Sequence, residues 1–418
     1  MRKSWLVLLV ALIAVASVGS APAKQEVLDS LINVALKSNP DLSAANFAEQ
    51  ASAHTARSAG ALPDPQVTVG ILNLPNNSFA LDQTPMTGVA LGFSQQVPWP
   101  GKLSARSDLA NTRYRQSESV AAIVESRIVR EVTNAYLEYS HWSLSQPIIE
   151  DYLQLLKATR ESAEIRYANG KGSAQDVLRA STMLSRAEIR LLKFEQGRQS
   201  SLLDLQRAVG VPTIFDKLPP ILAEPDDSDT VTQSIEDNPM LSDATLAVEG
   251  ARIQQRLAQH TYRPDFTVGV DYRLRKDIPT DPVRGTDFLT FKVGLNLPLW
   301  FFSKQKHDVR AARHMTRVSM ERERSVRELL TTRLGDAQSQ LTMVLASLRR
   351  YDESILPETE AAAKAARVAY EVGDVDFNAL LAAQSDAFEV QLERLDLLRQ
   401  YHQTIAALNE LAGISQER

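Results

Sequence analysis

The chain has 418 residues, of which 44% are apolar, 6% aromatic and 23% charged, with no cysteine and a formal charge of −5. These proportions describe a folding chain, and they exclude a disulfide framework, a thiolate metal site and a cysteine nucleophile. The mildly acidic balance argues against nucleic acid as a partner, because phosphate binding draws on clustered Lys and Arg.

At the start of the chain, Arg2 and Lys3, the apolar run Trp5 to Val15 and the small residues Ala21-Pro22-Ala23 read as an export signal over residues 1–23. The run is shorter than the roughly 20 apolar residues a spanning helix needs, so the mature chain is expected to begin near Lys24, outside the cytoplasm. Losing Arg2 and Lys3 takes the formal charge from −5 to −7. Without a cysteine to acylate, membrane attachment must come from the fold.

A first unit is expected over residues 24–217. Gln25 to about Ala61 has helical composition, and then the period changes. Val67, Val69 and Ile71 alternate with Thr68 and Gly70, and after a Pro- and Asn-rich loop Val89, Leu91 and Phe93 alternate with Ala90, Gly92 and Ser94. That is a β-hairpin over about 65–98. From Ser104 to Ala168 the period is helical, and Ala121, Val124, Ile128, Val132, Ala135, Tyr139 and Trp142 form a coiled-coil-like seam. About 65 helical residues extend roughly 100 Å, too long for a compact domain. Pro147 is expected to kink this helix. Tyr167-Ala168-Asn169-Gly170 then marks a reversal at about 169–173, with glycine supplying the left-handed conformation, followed by a return helix.

After a Pro-rich linker, 218–229, the pattern repeats over 230–418. Aligning Asn39 with Asn238 pairs Pro40 with Pro239, Arg57 with Arg256, Pro65 with Pro264 and Thr68-Val69-Gly70 with Thr267-Val268-Gly269, all at an offset of 199. Further on, an offset of 203 pairs Tyr167 with Tyr370, Gly170 with Gly373 and Gly210 with Gly413. The chain is a tandem duplication. Its second copy is expected to hold a helix over Thr230 to about Thr261, a hairpin over about 264–298, a long helix kinked at Pro357, a turn over about 372–376 and a return helix. In each copy the leading and return helices together match the long helix, so the expected unit is a rod two helices thick with the hairpin at one end and the glycine turn at the other.

Phe266, Val268, Val270 and Tyr272 share one face of the second hairpin with Leu289, Phe291, Val293, Leu295 and Leu297. A half-exposed soluble sheet would alternate in the same way. However, strands of about ten residues, tilted near 45°, span an outer membrane, and Trp99, Trp300, Phe301 and Phe302 stand where the second strands end, as interfacial aromatics do. Four strands cannot close, and an open edge in hydrocarbon leaves unpaired amides costing several kcal/mol each. Two chains would supply eight strands, and three would supply twelve, enough for a passage. The expected fold class is therefore mainly α with membrane β: a long α-helical coiled-coil barrel, plus four strands per protomer completing a 12-stranded barrel in a homotrimer. Thr267, Asp271, Arg273, Thr290, Lys292 and Asn296 would face its lumen.

The tandem repeat, the Asn-Pro near each repeat start, the strand pairs and the Tyr-x-x-Gly turns with their Leu-rich return helices resemble the TolC-like outer-membrane efflux channels of Gram-negative bacteria. Leu62-Pro63-Asp64-Pro65-Gln66 and Val97-Pro98-Trp99-Pro100-Gly101-Lys102-Leu103 resemble the subgroup that works with heavy-metal resistance pumps. The resemblance covers essentially the whole mature chain. It implies a passive tunnel through outer-membrane lipid and periplasm, meeting a periplasmic adaptor and an inner-membrane pump of the resistance-nodulation-division type. Drug efflux and type I secretion are alternatives within the family.

The resemblance also implies a periplasmic entrance at the glycine turns, around Tyr167, Gly170, Tyr370 and Gly373, with Asp176 at the family's acidic position. The second turn departs from the best-known pattern, because Val375, Ala379 and Ala382 stand where a gating arginine and two aspartates are usual. Asp374 and Asp376 lie nearby and form either an acidic collar of six carboxylates per trimer or simple helix caps. His307 and His314, seven apart, read as a solvated pair, the Met residues are scattered, and Gly170-Lys171-Gly172-Ser173 is a turn rather than a phosphate loop. No HExxH or GxSxG motif is present, so no enzyme, cofactor or resident metal site is expected. The competing reading is a soluble periplasmic coiled-coil adaptor or scaffold.

Overall fold

The computed structural model describes residues 21–210, 218–225, 234–279 and 281–413. Residues 1–20 of the expected signal and 226–229 of the expected linker lie outside them. In chain order the elements are α1 (Ala21–Ser38), α2 (Pro40–Ser58), β1 (Gln66–Leu72), β2 (Gly88–Val97), α3 (Lys102–Ala168), α4 (Ala174–Val209) and α5 (Pro239–His260). There follow β3 (Asp265–Leu274), β4 (Phe288–Asn296), α6 (Lys306–Arg350), α7 (Leu356–Val372) and α8 (Phe377–Leu411), with π-helical turns at Phe301–Gln305 and Tyr351–Ile355. The described residues gather into two compact units, one of residues 21–39, 128–210, 218–225 and 339–407, the other of residues 40–127, 234–279, 281–338 and 408–413.

The first unit is helical. Ile149, Leu156, Ala163, Ala180, Leu184, Tyr370, Phe377, Leu380 and Phe388 form its main core, drawn from α3, α4, α7 and α8. Burying each Leu, Ile or Phe contributes about 1.5–3 kcal/mol. Tyr152 stacks on Phe388 at 4.3 Å between ring centroids. Trp142 meets Phe194 edge-on at 5.6 Å. The segment before α5 is strapped onto this unit: Tyr136 Oη donates to the Pro219 carbonyl at 2.7 Å, the Ile221 amide donates to Ser140 Oγ at 3.1 Å, and Leu222 packs with Leu137 and Leu395.

In the second unit all four strands form one antiparallel sheet, ordered β1-β2-β3-β4. The two hairpins meet through β2 and β3, with Gly92 opposite Asp271 and Gln96 opposite Thr267. Because directly paired residues share a face, one register runs across the whole sheet. Val69, Leu91, Tyr272 and Leu289 form one apolar row, and Thr68, Gly92, Asp271 and Thr290 the polar row beside it.

Three expectations change. The single leading helix splits into α1 and α2 at Asn39, because Pro40 lacks an amide and disfavours helical geometry in the residue before it. Its counterpart begins at Pro239 rather than Thr230, capped by Asn238, whose Oδ1 accepts from the Met240 amide at 2.9 Å. The first strand has 7 residues, not about ten. Of the two prolines expected to kink helices, Pro147 lies inside the continuous α3, whereas Pro357 opens α7 directly after a π-helical turn.

Candidate functional site

The lumen candidates fall on one face of the sheet. Thr267 pairs with Gly294, Asp271 with Thr290, Arg273 with Phe288, and Asn296 with Asp265. Lys292 stands opposite Gly269, and its ammonium forms an ion pair with Asp271. Gly92 makes room for this pair, since a Cβ there would lie 2.4 Å from Thr68 Oγ1 and 2.6 Å from Asp271 Oδ1. The opposite face is bare of protein cover, with Val69 72% and Phe291 78% exposed. No helix among the described residues is long and apolar enough to cross a membrane.

The aromatic candidates differ in setting. Trp300, Phe301 and Phe302 are exposed, and the two Phe rings lie 4.5 Å apart. Trp99 instead stacks on Phe266 at 5.7 Å between ring centroids, with the Arg263 guanidinium carbon 5.6 Å from its ring centroid. Beside it is a polar pin that the sequence did not reveal. Lys102 Nζ donates to Asp265 Oδ1 at 2.6 Å and to the Arg263 carbonyl at 3.1 Å, and the Trp99 amide donates to the same carboxylate at 2.9 Å. Gly101, at φ 90°, turns the chain so that Lys102 can reach. The signal available was the Trp99-Pro100-Gly101-Lys102 run itself.

Both glycine turns have the expected geometry, with φ 67° at Gly170 and 91° at Gly373. Ser173 caps α4, and Asp176 closes the capping box by accepting from the Ser173 amide at 3.3 Å. Asp376 Oδ1 accepts from the Ala379 amide at 2.8 Å, a capping bond at the start of α8, while Asp374 is exposed. The two tyrosines are not equivalent: Tyr167 is 54% exposed, and Tyr370 is 4% exposed against Phe377. Burial, then the nearby Asp176 charge, raises the Tyr370 hydroxyl above its ordinary range.

Arg166, not anticipated from the sequence, brings the two turns together. Its Nη1 donates to the carbonyls of Tyr370 at 2.7 Å and Glu371 at 3.1 Å, and its guanidinium carbon lies 4.7 Å from the Tyr370 ring centroid. Nη2 donates to the Lys171 carbonyl at 3.4 Å. Arg179 adds a bond to Asn378. The only sequence signal of Arg166 was a basic residue in the last turn of a long helix. His307 and His314 are exposed, and no group of three or more His, Asp or Glu able to hold a metal gathers among the described residues.

The duplicated helices and the four-stranded sheet have close counterparts. The outer membrane protein VceC of Vibrio cholerae superposes with a TM-score of 0.80 at 19% identity, over 95% of this chain and all of that one. CusC superposes with a TM-score of 0.78 at 17% identity, over 92% and 91% of the two chains. The cobalt-zinc-cadmium resistance protein CzcC of Cupriavidus metallidurans is 21% identical over 394 residues, which are 92% of this chain and 90% of that one. The outer membrane efflux protein family matches residues 31–211 and 230–414, one match for each repeat. The chain belongs to the outer membrane efflux protein family and is an outer-membrane protein of the TolC-like kind.

Proposed function

We propose that three copies of this chain form a passive channel through the outer membrane and periplasm, as the exit duct of a tripartite efflux system with an adaptor and an inner-membrane pump. One observation carries the reading. The sheet has an apolar face, a polar face and, among the described residues, two outer strands, β1 and β4, each paired on one side only. Such a sheet is stable in hydrocarbon only when neighbouring copies pair its edges, and twelve strands leave an aqueous interior with room for a solute. Thr267, Asp271, Arg273, Thr290, Lys292 and Asn296 then line the passage.

The paired turns are the periplasmic entrance in this reading, with Tyr370 and Asp176 beside the Arg166 contacts. Asp374 and Asp376 would contribute six carboxylates per trimer and favour cations there. The likeness to CzcC supports metal cations as cargo supplied by a resistance-nodulation-division pump. Planar-bilayer recording of the detergent-purified protein tests the channel. Stepwise trimeric conductance supports it, and a water-soluble monomer that forms no pores refutes it. Recordings of Asp374→Asn and Asp376→Asn test the collar, which requires a fall in cation preference. A deletion strain tests the cargo: sensitivity to zinc, cobalt or cadmium is expected, and sensitivity to hydrophobic drugs alone refutes the metal reading.

A further inference from the structure

In the second unit, where β3 and β4 give way to helices, residues of α3, α5 and α6 enclose a cavity of about 770 Å³. Leu297, Trp300 and Met315 supply apolar lining, and Arg106, Arg263, Lys304 and Asp308 supply charge. The Lys102–Asp265 pair also borders it, but these two groups satisfy each other, with 9% and 17% of their side chains exposed. Three cations therefore remain against one carboxylate. Arg263 is engaged with the Trp99 ring and Arg106 lies within electrostatic reach of Asp265, but no hydrogen bond or ion pair to a side chain holds Arg106 or Lys304 among the described residues. Gln305 also lines the cavity, and it is only 7% exposed, with a side-chain oxygen that no donor reaches.

An excess of cations in a partly enclosed site attracts an anion, and the unpartnered Gln305 oxygen suits a hydroxyl. The position narrows the source. Leu297 follows β4 directly, and Trp300 to Phe302 stand exposed just beyond, where aromatic side chains mark the headgroup level of a bilayer. We infer that this cavity binds the headgroup of an anionic, hydroxylated phospholipid. Arg106 and Lys304 hold its phosphate, Gln305 accepts from its hydroxyl, and its acyl chains leave past Leu297 and Trp300 onto the apolar face of the sheet. The inference rests on the membrane-spanning reading of that sheet.

Native mass spectrometry of the purified full-length trimer tests the site, with dioleoyl phosphatidylglycerol, dioleoyl phosphatidylethanolamine and soluble glycerol 3-phosphate titrated in separate arms. The wild type is expected to retain phosphatidylglycerol, up to three per trimer, in preference to phosphatidylethanolamine and over glycerol 3-phosphate. The combined Arg106→Gln and Lys304→Gln variant is expected to lose about tenfold or more in that affinity. Equal retention by both proteins overturns the site, and so does glycerol 3-phosphate binding as tightly as the lipid, which would make it a free-phosphate site. If the double variant does not assemble, Lys304→Gln alone is read by the same criteria, because its side chain is exposed. A lost trimer with unchanged lipid affinity in that single variant assigns the cation to a neighbouring copy and overturns the proposal. Conductance of the same samples separates the two claims: a conducting wild type without bound lipid refutes the site alone, and a wild type that neither trimerises nor conducts refutes the channel.

Discussion

Arg166 closes two helix ends with one guanidinium. The Tyr370 and Glu371 carbonyls it binds belong to the last turn of α7, where the helix's own amides run out and its dipole has its negative end; the Gly373 amide adds a second bond to the Tyr370 carbonyl at 3.1 Å. Hydrogen bonds to a charged donor contribute about 1.5–3 kcal/mol when sheltered, so Arg166→Ala is expected to loosen the second turn by about 1–2 kcal/mol. Hydrogen exchange should accelerate across residues 371–376, and channel open probability should rise. Arg166→Lys should restore only part of this, because an ammonium has neither the second nitrogen that reaches the Lys171 carbonyl nor the planar group that lies over the Tyr370 ring. Unchanged exchange would mean that the Gly373 and Asp374 amide bonds and the Tyr370–Phe377 contact hold the turn without Arg166. A second residue sets a pH response. Burial, and then the neighbouring Arg399, lower the His141 pKa, against the opposing pull of Glu138 and Asp396. The unfolded chain then takes up a proton that the folded one refuses, so stability is complete above about pH 6.5 and is lost as pH falls through the lowered value. Thermal unfolding from pH 7.5 to 5 should show a smaller acid loss in His141→Asn than in the wild type. The glycines of both turns were legible because left-handed backbone demands glycine, whereas Arg166 was not, because its acceptors are backbone carbonyls 204 and 205 residues away.

Helices and strands declared themselves where a single period persisted. Alternation in Phe266 to Tyr272 and threes and fours in Ala121 to Trp142 needed no tertiary information. Breaks were harder. Asn39-Pro40 was visible as a repeat marker, but whether a chain bends or ends its helix at proline depends on what covers the freed carbonyls. At Pro357 a π-helical turn precedes the ring, while α3 carries Pro147 through its interior. Gly197 is a related case within α4. Mid-helix glycine costs about 1 kcal/mol relative to alanine, so on an open helix Gly197→Ala would stabilise. Here an added Cβ would lie 2.6 Å from the Trp142 indole. That ring is fixed by its Nε1 bond to Glu138 at 2.9 Å and by the edge contact with Phe194. The substitution is therefore expected to destabilise by about 1–3 kcal/mol, seen as a lower Tm. A raised Tm would show that the indole tips away at little cost.

At the scale of the whole molecule, duplication gives the chain two hairpins that need each other and then need neighbours. The sequence conveys the alternation of each strand, but only the pairing of β2 with β3 joins the two copies into one two-faced sheet. The assignment of faces has a direct consequence for paired substitutions on one strand. Val293, 76% exposed on the apolar face, and Thr290, on the polar face opposite Asp271, are three residues apart on β4. An arginine facing lipid near mid-bilayer costs about 2–4 kcal/mol, whereas an arginine facing water costs little and adds charge to the passage. Val293→Arg should therefore reduce the amount of trimer recovered from the outer membrane, while leaving the conductance of surviving trimers close to wild type. Thr290→Arg should assemble normally, placing three added charges around the lumen, and should lower single-channel conductance to cations. Quantified membrane fractions and bilayer recordings of both variants read out the two effects separately. If Thr290→Arg blocks assembly while Val293→Arg inserts freely, the faces are reversed and the apolar row points inward to a protein core rather than outward to lipid.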